Sequence, residues 1–150
     1  MPGGSEWILI FSFLGLMIIP GIFYIITLQK TFEAISLKNR KMAAGNVWLL
    51  LIPFFGIIWH FIIVNNLADS IRAEADEYGV PITEKKPGYN IGLAMCIVNC
   101  LFFIPGINLI AWIAGLVCWI IYWNTINGFK NRLLNEKGID NIGLLNSQHL

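Results

Sequence analysis

The amino-acid sequence predicts an all-α membrane protein of four transmembrane helices arranged as two helical hairpins, with helices two and four extending beyond the bilayer. Three observations predict it. All ten Lys and Arg and all nine Asp and Glu lie outside three long apolar stretches, about 7–28, 46–66 and 88–129. The chain is 57% hydrophobic and 13% charged, where a soluble domain is usually about 45–50% apolar and about 25% charged. The third stretch is about twice the length of one crossing and is broken by Pro105-Gly106. A soluble core helix keeps charge on its wet face; a stretch with no such face is stable where hydrocarbon surrounds it.

A hydrocarbon core of about 30 Å takes roughly 20 helical residues. Residues 7–28 supply one crossing and 46–66 a second. In the third stretch Pro105 removes a donor and Gly106 permits a tight turn, so the chain reverses there. That divides it into spans at about 89–104 and 108–127, unless residues 89–127 hold a re-entrant segment. The first stretch is read as a retained span. Residues 1–6 hold no Lys or Arg, the apolar run is too long for a signal peptide, and no small-residue cleavage site follows it. The 150 residues then form a single integral membrane domain.

Polar helical extensions follow spans two and four, at about 67–79 and 128–138. Leu67, Ile71, Ala75 and Tyr78 make a stripe at helical spacing, with Asp69, Arg72, Glu74, Asp76 and Glu77 read as a solvated opposite face. Gly79 and Pro81 end the first extension, and Gly138 is expected to end the second. Four spans put Lys30, Lys38, Arg40 and Lys41 on one side of the membrane. They put Arg72, Lys85, Lys86, Lys130, Arg132 and Lys137 on the other. Six against four favours both termini in the cytoplasm. Spans two and four also share a faint repeat, with Gly56 and Asn65 spaced as Gly115 and Asn124 are. Ile-Pro-Gly-Ile occurs at 19–22 and again at 104–107.

Few polar groups stand at membrane depth. His60 is the one Lys, Arg, Asp, Glu or His within a span, and Asn99 sits in mid-span three. Both are candidates for a pathway, but a structural hydrogen bond is the better reading for His60, and an amide such as Asn99 commonly holds helices together. Pro20 and Pro53 fall inside predicted helices and are expected to kink them. Gly92, Cys96 and Cys100, with Ala111, Gly115 and Cys118, form small-residue faces on spans three and four. Such faces let helices approach closely in lipid. Cys96 and Cys100 could supply half of a tetrahedral metal site, but packing is the better reading, and no metal or other cofactor is expected. With no nucleophile–base pair, phosphate loop or paired intramembrane acids, the chain is not expected to be an enzyme. A net charge of +1 offers no field for nucleic acid.

The segment Gly45-Asn46-Val47-Trp48-Leu49-Leu50-Leu51-Ile52-Pro53, with Leu28-Gln29-Lys30-Thr31 before it and Leu67-Ala68-Asp69-Ser70 after it, resembles a group of small multi-pass bacterial inner-membrane proteins of unknown function. The resemblance covers about the first half of the chain. It implies a bacterial inner-membrane location and brings no activity, and no site residue carries over from it. The expected function is therefore that of a non-enzymatic helical membrane protein acting through helix contacts, as a scaffold, an accessory subunit or a homo-oligomer. Its partners would be the lipid bilayer and a second copy or another membrane protein. The alternative is a small oligomeric ion channel or transporter with its pathway near His60 and Asn99.

Overall fold

The computed structural model describes the backbone of residues 4–52 and 54–147, with side chains in that range except 4, 5, 9–11, 13, 14, 16, 17 and 139–147. All its regular structure is helical: α1 (Gly4–Ala34), a 3-10 helix (Ala44–Leu51), α2 (Phe55–Glu77), α3 (Tyr89–Leu101) and α4 (Asn108–Ser147). Among the described residues one helix, Asn108–Gly138, is long and apolar enough to cross a membrane, and α3 is apolar but shorter. Only 22% of the apolar window of α4 is buried inside the protein. A core helix of a soluble protein would be mostly covered.

The contacts fix the helix directions. Tyr24 meets His60, and Ser36 meets Glu74, so α1 and α2 run parallel. Thr27 meets Trp123, and Ala34 meets Lys137, so α1 and α4 are parallel too. A Cβ on Gly92 would touch Tyr122 and one on Gly115 would touch Asn99, so α3 and α4 are antiparallel. Two similar antiparallel hairpins are therefore not what forms: α3 and α4 make one, whereas α1 and α2 lie side by side in the same direction.

The parallel pair needs a return path, and residues 35–54 supply it. Lys41 N–H bonds Ser70 Oγ at 2.9 Å, Trp59 Nε1–H bonds the Asn46 carbonyl at 2.8 Å, and Gly56 abuts Leu50. The 3-10 helix thus runs antiparallel to α2 and turns into it. Residues 46–66, expected as one helix, are instead a broken hairpin. Ile52 precedes a proline, which disfavours helical backbone, and it is extended at φ −78°, ψ 115°. Phe54 turns the chain with φ 61°. A Cβ on Gly56 would lie 2.4 Å from the Leu50 carbonyl oxygen, so the tip closes on glycine. Pro53 itself lies outside the described residues. Pro20 sits inside α1, which continues as helix on both sides of it.

At its C-terminal end α2 stops at Glu77, followed by Gly79 at φ 67°. The α3–α4 turn contains Gly106 at φ 94°. Gly138, expected to stop α4, does not: the helix continues to Ser147. Glycine inside a helix costs only about 1 kcal/mol relative to alanine and ends one only where the chain turns left-handed.

The core joins all these elements. Leu28 and Phe32 of α1, Leu67 and Ile71 of α2, Met95 of α3 and Tyr122 of α4 belong to one cluster of buried side chains. All ten Lys and Arg lie toward the C-terminal ends of α1, α2 and α4 and in the loops there. The ion pair Lys38–Glu77, at 2.5 Å, and Lys137, which pairs with Glu74 and donates to the Ala34 carbonyl, hold the 30–41 segment against the other basic segments. The two groups of basic residues expected on opposite faces share one end of the bundle. Because α1 and α4 are parallel, the start of α1 and the end of α4 lie at opposite ends.

Candidate functional site

The late start of α2 leaves space beside α1. A cavity of about 410 Å³ lies there, bounded by α1, the 3-10 helix, the start of α2, the C-terminal half of α3 and Trp119 of α4. Its walls are mostly aliphatic, with Ile18, Ile22, Leu50 and Ile57 among them. Among the described residues, the polar side chains of Tyr24, His60 and Asn99 line it. The structure thus brings both candidate pathway residues to one space.

Tyr24 Oη lies 2.8 Å from His60 Nε2. The Tyr24 ring is held edge-on by Trp119 at 5.5 Å, Trp123 at 6.1 Å and Tyr122 at 6.4 Å between centroids. That aromatic box fixes the hydroxyl toward the imidazole. Sequence reasoning missed Tyr24, although a tyrosine among the aliphatics of the first stretch was a visible signal. Asn99 projects from α3, and its Oδ1 occupies the room left by Gly115, where a Cβ would come within 2.9 Å. No hydrogen bond to the Asn99 side chain occurs among the described residues. Asn99 also borders a neighbouring cavity of about 380 Å³, which shares Ile57 and Trp119.

The small residues separate into two groups. Gly92 is enclosed: a Cβ there would meet Val64 at 2.6 Å and Tyr122 at 2.7 Å. Cys96 and Ala111 are buried, and Cys96 also borders the main cavity. Cys118 is half-buried and Cys100 is exposed. Cys96, Cys100 and Cys118 all remain free thiols.

At the charged end the structure overturns one expectation. Glu74, read as part of a solvated face, is 0% exposed. It accepts hydrogen bonds from Ser36 N–H at 3.0 Å, Ser36 Oγ–H at 2.8 Å and Asn39 Nδ2–H at 2.6 Å, and it pairs with Lys137. Lys137 also donates to the Ala34 carbonyl at 2.6 Å, capping α1 with a positive charge where the helix dipole favours one. Burial alone would push the Glu74 carboxyl up, but the bonds from Lys137, Asn39 and Ser36 outweigh it and hold the group below its usual range. The signal was present: Glu74 is three residues beyond Ile71 and seven beyond Leu67, on the apolar stripe itself.

Two exposed groups sit beside this knot. Glu77 is held below the usual carboxylate range by Lys38 and Asn39, and Lys38 is raised by Glu77. Arg72 pairs with Asp76 at 2.5 Å and donates to the Ile82 carbonyl at 3.0 Å, pinning the loop between α2 and α3. No family model, curated protein or solved structure matches the chain.

Proposed function

We propose that this chain is a non-enzymatic, multi-pass integral membrane protein that acts through contacts with other membrane components, with its charged end in the cytoplasm of a bacterial cell. One observation carries the reading. Every basic residue collects at one end, while the rest of the bundle exposes large apolar side chains on all its helices, among them Phe23, Ile58, Ile97, Ile113 and Ile120. In water such a surface would drive aggregation; in lipid it is the ordinary outer face of a bundle.

Ten basic residues against none at the opposite end makes the charge bias one-sided, and the rule that positive loops stay inside then fixes orientation. The uncharged parts of α1 and α4 are each long enough to cross. The uncharged part of α2, residues 55–68, reaches only about 21 Å at 1.5 Å per residue. The 3-10 helix and α2 therefore form a re-entrant hairpin that enters and leaves on the cytoplasmic side. Helix α3 with the apolar turn 102–107 completes the third crossing. Three crossings place the N-terminus outside and the C-terminus inside. Single cysteines introduced at Lys38, Lys85 and Ser5 test this with a membrane-impermeant maleimide on intact cells, using the wild type as background. Labelling at position 5 alone is expected. Labelling at position 38 or 85 in intact cells would overturn the topology, and recovery of the chain in the soluble fraction would overturn the membrane reading itself.

A second reading, an oligomeric channel or transporter, draws on His60 and Asn99 sharing a cavity. Within one chain the space toward the charged end is filled by Ile63, Met95 and Tyr122, all 0% exposed, so a pathway would need further copies. Proton flux in liposomes that His60→Ala abolishes would favour it.

A further inference from the structure

We propose that the cavity between α1, the re-entrant hairpin and α3 is a binding site for a neutral lipid: one apolar chain or ring system carrying a carbonyl or hydroxyl oxygen. The inference rests on the membrane reading above and goes beyond it by assigning a ligand class.

The argument begins with Asn99. A carboxamide in hydrocarbon without a partner is costly, and this one, exposed at the edge of the cavity, makes no hydrogen bond among the described residues. It borders the cavity together with His60, whose Nε2 is occupied by Tyr24. His60 Nδ1 has no hydrogen-bonding partner among the described residues. Two side chains able to donate or accept thus face one space of about 410 Å³. Water filling is disfavoured. At about 30 Å³ each the space would take roughly 14 molecules, and the aliphatic walls offer them few partners. An apolar body with one polar atom satisfies both the walls and the amide.

Charge and size narrow the class further. No Lys, Arg, Asp or Glu among the described residues lines the cavity. A phosphate or carboxylate head would enter without a counter-charge, at a prohibitive desolvation cost. The volume sits in the lower half of the usual range for ligand sites, about 300–1,000 Å³, which suits one chain or ring rather than a two-chain phospholipid. The exposed side chains of Ile18, Leu51 and Phe54 at the rim let such a molecule enter sideways from the bilayer. Trp119 and Tyr24 offer aromatic edges for a ring. A prenylated quinone and a monoacylglycerol both meet this description.

The test uses the full chain in detergent micelles and native mass spectrometry. A monoacylglycerol, a prenylated quinone and phosphatidylglycerol are added in turn. Saturable binding of one neutral molecule per chain is expected, the better of the first two naming its source, with phosphatidylglycerol at least tenfold weaker. Asn99→Leu is expected to weaken neutral-lipid binding about tenfold, the equivalent of about 1.4 kcal/mol for a lost hydrogen bond. Gly21 borders the cavity, and a Cβ there meets nothing within 4 Å. Gly21→Leu therefore adds bulk without a backbone clash and is expected to weaken binding too, which keeps the test decisive if Asn99→Leu does not fold. Equal phosphatidylglycerol binding, no binding of either neutral lipid, or unchanged binding in Gly21→Leu and in folded Asn99→Leu would overturn the proposal. A chain that needs no detergent would instead overturn the membrane reading, so the two failures are distinguishable.

Discussion

Glu74 of α2 and Lys137 of α4 form an ion pair beside the C-terminus of α1, with the carboxylate wholly withdrawn from solvent. Removing one partner of a buried pair leaves an uncompensated charge, which costs about 3–5 kcal/mol. Lys137→Met is expected to destabilise by about that much, because Glu74 then keeps only Ser36 and Asn39. The double variant Glu74→Leu/Lys137→Met is expected to lose less than Lys137→Met alone. Thermal unfolding in detergent checks the order.

The same pair sets an acid limit. The Glu74 carboxyl is held lower when folded than its ordinary value of about 4.3. A depressed folded value means that the folded state binds fewer protons. The contribution is fully present above about pH 4.3 and is lost as pH falls through the lower folded value. Glu77 acts in the same direction. Lys38, raised when folded, contributes below the ordinary lysine value of about 10.4 and loses that contribution as pH climbs through the raised one. A melting temperature that drops below about pH 4 in the wild type, and less in Glu74→Gln, is the expected result.

The cavity-lining glycines differ in what surrounds them. Gly56→Ala drives a Cβ to 2.4 Å from a backbone oxygen, so the hairpin tip shifts, at about 1–3 kcal/mol. Gly21→Ala meets nothing and gains about 0.5–1 kcal/mol of helix stability. Opposite shifts in melting temperature are expected. Equal shifts would mean that the tip does not pack on Leu50.

Phe54 holds φ 61°, ψ −50° on a side chain that is 76% exposed. Such a backbone costs about 1–3 kcal/mol for a bulky residue, and an exposed ring forfeits little packing when removed. Phe54→Gly is therefore expected to raise the unfolding midpoint.

Tyr24 and His60 are expected to couple. In membrane proteins interhelical hydrogen bonds average about 0.6 kcal/mol by double-mutant cycle. A cycle of Tyr24→Phe and His60→Phe should return about that value, rising toward 1.7 if the aromatic box holds the hydroxyl rigidly. A coupling near zero would place the pair outside the folded core.

Where periodicity and charge speak for themselves, the chain was legible before its shape was known. The charge-free run 108–127 and the Pro105-Gly106 reversal both appear in α4 and the turn before it. The site was half legible: His60 and Asn99 stood out as polar atoms at apolar depth, but their meeting in one cavity depends on the late start of α2 and its packing beside α3, and the Tyr24–His60 bond on α1 and α2 being parallel. Hydropathy counts residues and carries no direction, so residues 46–66 looked like a single crossing. Pro53 was the warning, since the residue before a proline is driven out of helical backbone. Glu74 was misread because its charge was given more weight than its position on the stripe of Leu67 and Ile71.

Helix α1 finds its α4 partners late. Its bonds to Trp123 and Lys137 span 96 and 103 residues. A nascent chain therefore completes α1 long before α4 leaves the ribosome, and Tyr24 and Thr27 wait in the meantime without their aromatic and hydroxyl-bonding neighbours. Assembly cannot close until synthesis is nearly finished. A chain cut after α3 would leave that seam of α1 open.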